Sequence, residues 1–237
     1  MTSHILDLEA VSLNFSRRRL IPDKTPFPAL KKVSFSMAKG ETLGVIGRNG
    51  CGKSSLLRLL TGIYTPDSGR IVRNYKNASL LSLSLGFDRE LSGRDNAILS
   101  GMLLGHSRDN VIRHLDEIIA FSELAAFIDA PIKTYSTGMR TRLGFSVAIT
   151  LQVDLLLIDE VLGVGDVRFR EKAIQAMSEK ITGHQSVVFV SHAKTQVSKL
   201  CDRVLWLEKG QLMEIGPTQH VLACYYAFLD ESKELIV

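Results

Sequence analysis

Three short stretches of this chain hold side chains able to do chemistry. The first, Gly47-Arg48-Asn49-Gly50-Cys51-Gly52-Lys53-Ser54, satisfies G-x-x-x-x-G-K-S/T in full and is followed by Ser55. Glycines at this spacing let the backbone curl so that amide hydrogens face a polyphosphate, and a helix beginning at Lys53 would add its positive end. Lys53 supplies a point charge for β- and γ-phosphates, and Ser54 a hydroxyl for Mg²⁺. A thiol has no part in that scheme, so Cys51 contributes as a small filler on the loop backbone. The second stretch, Leu155-Leu156-Leu157-Ile158-Asp159-Glu160, is an apolar run ending in two carboxylates. Neighbours on a strand face opposite ways, so the two acids have different tasks: Asp159 beside Mg²⁺ through water, and Glu160 polarising an attacking water. The third, Val187-Val188-Phe189-Val190-Ser191-His192, delivers a histidine that can hydrogen-bond a γ-phosphate and the activated water.

These groups need elements that hold them. Thr42 to Ile46 reads as a buried strand running into the glycine loop, and Leu56, Leu57, Leu59 and Leu60 predict a helix after it, ending near Gly62. Leu155 to Ile158 and Val187 to Val190 are bare apolar runs of strand length, as parallel strands covered on both faces require. Ligands collect at the carboxyl ends of such strands, where Asp159, Glu160 and His192 fall. Ile5 to Phe15 and Val33 to Met37 alternate and predict antiparallel strands, with an exposed loop over 16–28 that carries Arg17-Arg18-Arg19 and three prolines. Apolar spacing predicts one helix over 108–124, capped by Ser107 or Asp109, and a second over 139–150. Val204 to Ile215 predicts a hairpin turning at Lys209-Gly210. Strands and helices alternate at both ends, and the stretch from about Ser92 to Thr150 is mostly helical.

Composition narrows the classes. At 237 residues, 45% hydrophobic and 23% charged, the chain can bury a core without staples, which excludes disordered and fibrous types. Asp154, Asp159 and Glu160 interrupt the most apolar stretch, so no membrane span is expected. The N-terminal residues lack the basic start and apolar run of an export signal. Three scattered cysteines without CxxC spacing or paired histidines favour a reducing compartment over a disulfide framework or a zinc site. A net charge of +4 is too mild to argue for nucleic acid.

Between the glycine loop and the acidic strand lies Tyr135-Ser136-Thr137-Gly138-Met139-Arg140-Thr141-Arg142-Leu143-Gly144-Phe145-Ser146-Val147-Ala148, which resembles the signature segment of ATP-binding cassette (ABC) ATPases. Its Tyr-Ser-x-Gly-Met wording, in place of the commoner Leu-Ser-Gly-Gly-Gln, is similar to the ATPase subunits of bacterial exporters of capsule, O-antigen and teichoic acid. Leu85 to Asn96 and Asp159 to Asp166 share the resemblance, which covers nearly the whole chain. It implies an α/β fold of the P-loop NTPase (RecA-like) type, an ABC ATPase core with an N-terminal antiparallel β-subdomain and an inserted α-helical subdomain. The expected organisation is one ABC ATPase domain over 1–237, with the core at about 1–85 and 151–237, the helical subdomain at about 86–150, and no C-terminal carbohydrate-binding domain.

The resemblance further implies that ATP and Mg²⁺ are bound between two copies paired head-to-tail. Gly47 to Ser55 of one copy would face Ser136, Gly138 and Met139 of the other, with Asp166 as the aspartate that crosses the seam. A serine and a glycine backbone before a helix make a second anion-receptive start, one that a single chain cannot easily bring onto its own phosphate loop. An aromatic ring before the loop is expected to stack on adenine, and both Phe15 and Phe27 qualify. The implied partners are a second copy, an integral-membrane permease gripped near Phe87 to Gly93, and a glycan or lipid-linked polysaccharide reached through that complex, with no nucleic acid. The implied location is the cytoplasmic face of the bacterial inner membrane. One departure stands out: the family's metal-contacting glutamine should fall around Ser82 to Ser84, and no glutamine is there. Arg17-Arg18-Arg19 suits either anionic headgroups or a solvated loop. The alternative function is a soluble ABC ATPase acting on ribosomes or DNA; such chains generally carry two cassettes or a long coiled coil.

Overall fold

A computed structural model describes residues 3–15, 27–81, 86–159, 166–183, 185–191 and 193–234, with the side chains of 232–234 excepted. Arg17 to Arg19, Ser82 to Ser84, Glu160 and His192 therefore lie outside the described residues. The chain gathers into two compact units: Met1–Lys76, Leu157–Glu160 and His184–Val237 form the first, and Asn77–Leu156 with Val161–Gly183 the second.

Unit 1 contains two sheets. In one, β1 (His4–Phe15) lies between β2 (Phe27–Ala38) and β4 (Ser68–Arg73), antiparallel to both. Leu6 and Leu8, then Val11 and Leu13, are buried, the phase of alternation changing between the two pairs. Ala10 takes a left-handed φ of 48°, at the point where the register to β2 shifts, which is the geometry of a β-bulge. In the other sheet β3 (Thr42–Ile46) is central, with β7 (Ser186–Val190) and β8 (Arg203–Glu208) parallel on either side. The end of β6 (Leu155–Asp159) lies beyond β7, and β9 (Gln211–Pro217) runs antiparallel outside β8. Every residue of β3 and β7 is buried, which explains why neither run carries a polar alternation. Helices α1 (Lys53–Leu60), α7 (Lys194–Leu200) and α8 (Thr218–Glu234) complete the unit.

Unit 2 opens with the short β5 (Ala78–Leu80) and is otherwise helical: α2 (Gly93–Leu103), α3 (Arg108–Arg113), α4 (Leu115–Ser122), α5 (Thr137–Thr150) and α6 (Val167–Thr182). Its core includes an aromatic triad, Phe121, Phe145 and Phe169, with ring centroids 5.9–6.0 Å apart in stacked and edge-on pairs. The single helix expected over 108–124 is two helices. His114 turns its ring back, so that Nδ1 lies 2.8 Å from the Asn110 carbonyl oxygen, while its amide drops to the Val111 carbonyl at 3.1 Å. The i−4 acceptor is thus taken by a side chain, the turn tightens, and a new helix starts at Leu115. Ser107, not Asp109, caps α3 by accepting from the Asn110 amide. Helix α5 starts at Thr137, two residues before the expected Met139, because Ser136 is its cap. The loop expected over 16–28 ends early, because Phe27 and Pro28 already pair with Phe15 and Asn14 as the start of β2, and 16–26 lie outside the described residues. The expected hairpin turns at Lys209-Gly210, where both residues have positive φ.

Candidate nucleotide-binding site

The glycine loop joins the end of β3 to the start of α1, as its spacing required. Two of its glycines are forced by close approach. Gly47 has φ 148°, and a Cβ there would sit 2.1 Å from the Leu207 carbonyl oxygen; Gly52, at φ 113°, would place one 2.5 Å from that of Ala29. The loop is braced from behind by a feature the sequence did not advertise, the β8–β9 turn. The Gly210 amide donates to the Cys51 carbonyl at 2.9 Å, and the Gly210 carbonyl accepts from Lys31 at 2.8 Å. The turn therefore ties the loop to β2. Cys51 fills the space behind the loop, 3% exposed, and burial pushes its thiol up from its ordinary value. Its amide donates to the Arg48 carbonyl at 3.3 Å, closing the turn.

Lys53, only 9% exposed, folds along the inside of the loop and donates to the carbonyls of Gly47 (2.8 Å) and Arg48 (3.1 Å). An ammonium has three donors, so one remains for an anion. Helix α1 begins at Gly52 with no side-chain cap and no acidic residue in its first turn, which leaves its first amides and its positive dipole end to a ligand. Across the same cleft, Ser54 Oγ donates to Asp159 Oδ2 at 2.9 Å, joining the phosphate loop to the end of β6. A hydroxyl and a carboxylate brought together are hard oxygen donors, the set that Mg²⁺ prefers, so these residues fit that ion.

This cleft, about 330 Å³, is lined by Asn49, Gly50, Gly52, Lys53, Ser54, Ser55 and Asp159, and its far wall is Phe15 and Phe27. Both phenylalanines offered as adenine platforms are thus in one place. They are cross-strand partners at the end of the β1–β2 ladder, 36% and 49% exposed. Phe15 is steadied edge-on by Tyr64, with centroids 5.5 Å apart.

In unit 2, Ser136 caps α5 by accepting from the Met139 amide at 3.1 Å, and a Cβ on the following Gly138 would meet Ser136 Oγ at an ordinary 3.8 Å. Tyr135 is structural: its hydroxyl donates to the Phe127 carbonyl at 2.7 Å, and it packs so closely that a Cβ on Gly93 would strike it. Arg142 is the unit's organiser. Its guanidinium donates to the Ser122 carbonyl (2.7 and 2.9 Å) and Glu123 (2.9 Å), and lies 4.9 Å from the Phe169 ring centre. Asp166 caps α6: Oδ1 accepts from the Phe169 amide at 2.9 Å, and Oδ2 lies 3.6 Å from Arg142. The amide bond, and then Arg142 beside it, hold its carboxyl below the ordinary value. The segment before α2 is hooked by Asn96, fully buried, which accepts from the Asp88 amide and donates to the carbonyls of Asp88, Leu91 and Ser92.

Fold and site together define a phosphate-loop nucleotide-binding protein of the parallel α/β type. Comparison with known proteins carries this further. The ABC transporter family profile matches residues 30–163, more than half of the chain. An O-antigen export system ATP-binding protein of Klebsiella pneumoniae is 44% identical over 83% of this chain and 80% of its own length. Another from Myxococcus xanthus is 43% identical over 88% of this chain, which spans only 48% of that longer protein. A teichoic acids export ATP-binding protein of Enterococcus faecalis is 43% identical over 87% of this chain, again spanning less than half (46%) of the relative. The chain belongs to the ABC transporter family, and the relatives just named are ATP-binding proteins of O-antigen and teichoic acids export systems. Among solved structures, a dimeric ATP-binding cassette in a post-hydrolysis state bound to ADP and phosphate has the same fold, with a TM-score of 0.72 at 18% identity, over 90% of this chain and 98% of the other.

Proposed function

We propose that this chain is the ATP-binding, ATP-hydrolysing subunit of an ABC exporter that drives a cell-surface polysaccharide of the capsule, O-antigen or teichoic acid type across the inner membrane. The observation that carries the nucleotide reading is the single cleft in which Lys53, the open start of α1, the Ser54–Asp159 pair and two phenylalanines converge. The export systems named in its relatives carry the substrate class.

In this reading the loop amides and Lys53 hold the β- and γ-phosphates, and Phe15 or Phe27 covers the adenine. Ser54 and Asp159 hold Mg²⁺, which when bound neutralises charge on the phosphates. Glu160 orients the attacking water and His192 the γ-phosphate, by their place at the ends of two strands. The exposed starts of α5 and α6, with Ser136, Gly138, Met139 and Asp166, serve the nucleotide of a second copy, so that two chains pair head-to-tail around two MgATP. The pair binds a separate integral-membrane permease from the cytoplasmic side; among the described residues no helix is long and apolar enough to cross a membrane itself.

Glu160→Gln tests the shared site. The variant is expected to bind ATP, hydrolyse it slowly and sediment as a dimer at saturating MgATP; a monomer under those conditions overturns the head-to-tail reading. Stimulation of ATPase activity by the co-expressed permease in detergent or nanodiscs supports transport, whereas stimulation by ribosomes or DNA alone replaces it with the soluble alternative.

A further inference from the structure

Away from the nucleotide cleft, three metal-competent side chains of different type, from consecutive elements, converge on the surface of unit 1. Glu214 belongs to β9, whereas His220 and Cys224 lie one turn apart on the first half of α8, on the same helical face. His220 Nε2 is 2.7 Å from Glu214 Oε1 and 3.9 Å from Cys224 Sγ, and all three ligand atoms lie within 4.8 Å of one another. We propose that Glu214, His220 and Cys224 form a binding site for a thiophilic divalent cation of the Zn²⁺ class, with water in the fourth position.

Geometry favours a metal over a nucleophile. In a Cys-His-acid relay the acid holds one ring nitrogen and the thiol addresses the other. Here carboxylate and thiol approach the same nitrogen, Nε2, so no proton can be passed through the ring. Three potential ligand atoms within 4.8 Å of one another are close enough for one cation to bridge. Tetrahedral zinc with its usual bond lengths needs ligand separations of about 3.3–3.6 Å, and the observed 2.7 and 3.9 Å straddle that range, within reach of side-chain rotation. The donor set, one sulfur, one imidazole and one carboxylate, selects zinc over magnesium or calcium.

The frame is rigid enough to hold it. Glu214 is paired across β8 to the buried Trp206. The start of α8 is fastened by Thr218 Oγ1, which donates to the Cys201 carbonyl at 2.7 Å, and by the buried Val221 and Leu222. The His220 side chain is 63% exposed, which gives a cation its entry path and its water. Cys51 and Cys201 do not compete: both are buried, and burial raises the Cys201 thiol to about 12. Cysteine spacing alone had argued against a zinc site, because the carboxylate comes from a neighbouring strand rather than from a CxxC pair.

Co²⁺ titration of the full-length, tag-free protein tests this through the thiolate-to-cobalt band in the near ultraviolet. One equivalent of Co²⁺ is expected to develop the band, Zn²⁺ to abolish it by displacement, and Cys224→Ser to eliminate it with unchanged circular dichroism. His220→Gln, an exposed change that leaves the fold intact even where the cysteine variant does not, should weaken the metal by more than the roughly 10–100-fold typical of losing an outer-shell partner. Absence of a thiolate band at saturating Co²⁺, or a band that survives Cys224→Ser, overturns the site.

Discussion

Two helices of this molecule begin with the same invitation to an anion, and they answer it differently. Helix α1 starts at Gly52, whose left-handed backbone offers no side chain, so the first amides are left for a ligand. Helix α5 starts at Ser136, whose own hydroxyl already takes the Met139 amide. The first start is built around something that is not protein, and Lys53, pinned to two loop carbonyls, waits beside it. The second is self-sufficient as a helix cap and lends an anion only what Ser136 does not use. One helix start left open and one closed by its own serine follow from a single difference at the N-cap.

That contrast breaks most severely at Gly47. Gly47→Ala puts a methyl into the Leu207 carbonyl and Cys51, at a φ that only glycine enjoys, so we expect a loss of roughly 3–5 kcal/mol in chemical denaturation together with nucleotide binding. Lys53→Ala, in contrast, should leave folding largely intact and remove one charged partner of the phosphates. At roughly 1.5–3 kcal/mol per charge-assisted hydrogen bond, affinity falls about 10- to 150-fold. Calorimetry showing unchanged ATP affinity would remove the loop from the site. Ser136→Ala sharpens the other side. Loss of a serine cap costs about 1 kcal/mol, seen as a small drop in Tm. If the serine also serves a second copy's nucleotide, ATPase activity at saturating ATP falls by far more than that stability change explains; if it is only a cap, the two fall together.

The chemistry was more legible than the scaffolding. Gly47 to Ser54 and Asp159 were read from spacing and strand position, because a phosphate loop needs fixed offsets along one segment, while Phe15, with Phe27 as the second choice, came from the family resemblance; Asn49, Gly50, Gly52, Lys53, Ser54, Asp159 and both phenylalanines line one cleft. What escaped was whatever depended on contacts between segments. The Gly210 brace behind Cys51 joins positions far apart in sequence, and the Arg142 hub takes partners from two other helices. The break at His114 escaped for the opposite reason: apolar periodicity runs straight through it, and only a side chain competing for the Asn110 carbonyl interrupts the helix.

The smallest expected effect lies at Asp166, the cap of α6, where charge and capping can be separated. Asp166→Asn keeps an acceptor for the Phe169 amide and removes only the charge facing Arg142. The native carboxyl is held below its ordinary 3.8, so its ionised form stabilises the fold fully above that value, and the benefit disappears as pH falls through the depressed folded-state pKa. The asparagine variant should therefore melt slightly lower than the native protein at pH 7, and the two should converge in acid. Because the carboxylate is solvent-exposed, added salt should shrink the gap as well. A gap that persists unchanged at low pH and high salt would mean that Asp166 stabilises α6 through cap geometry alone, with its charge contributing nothing to the fold.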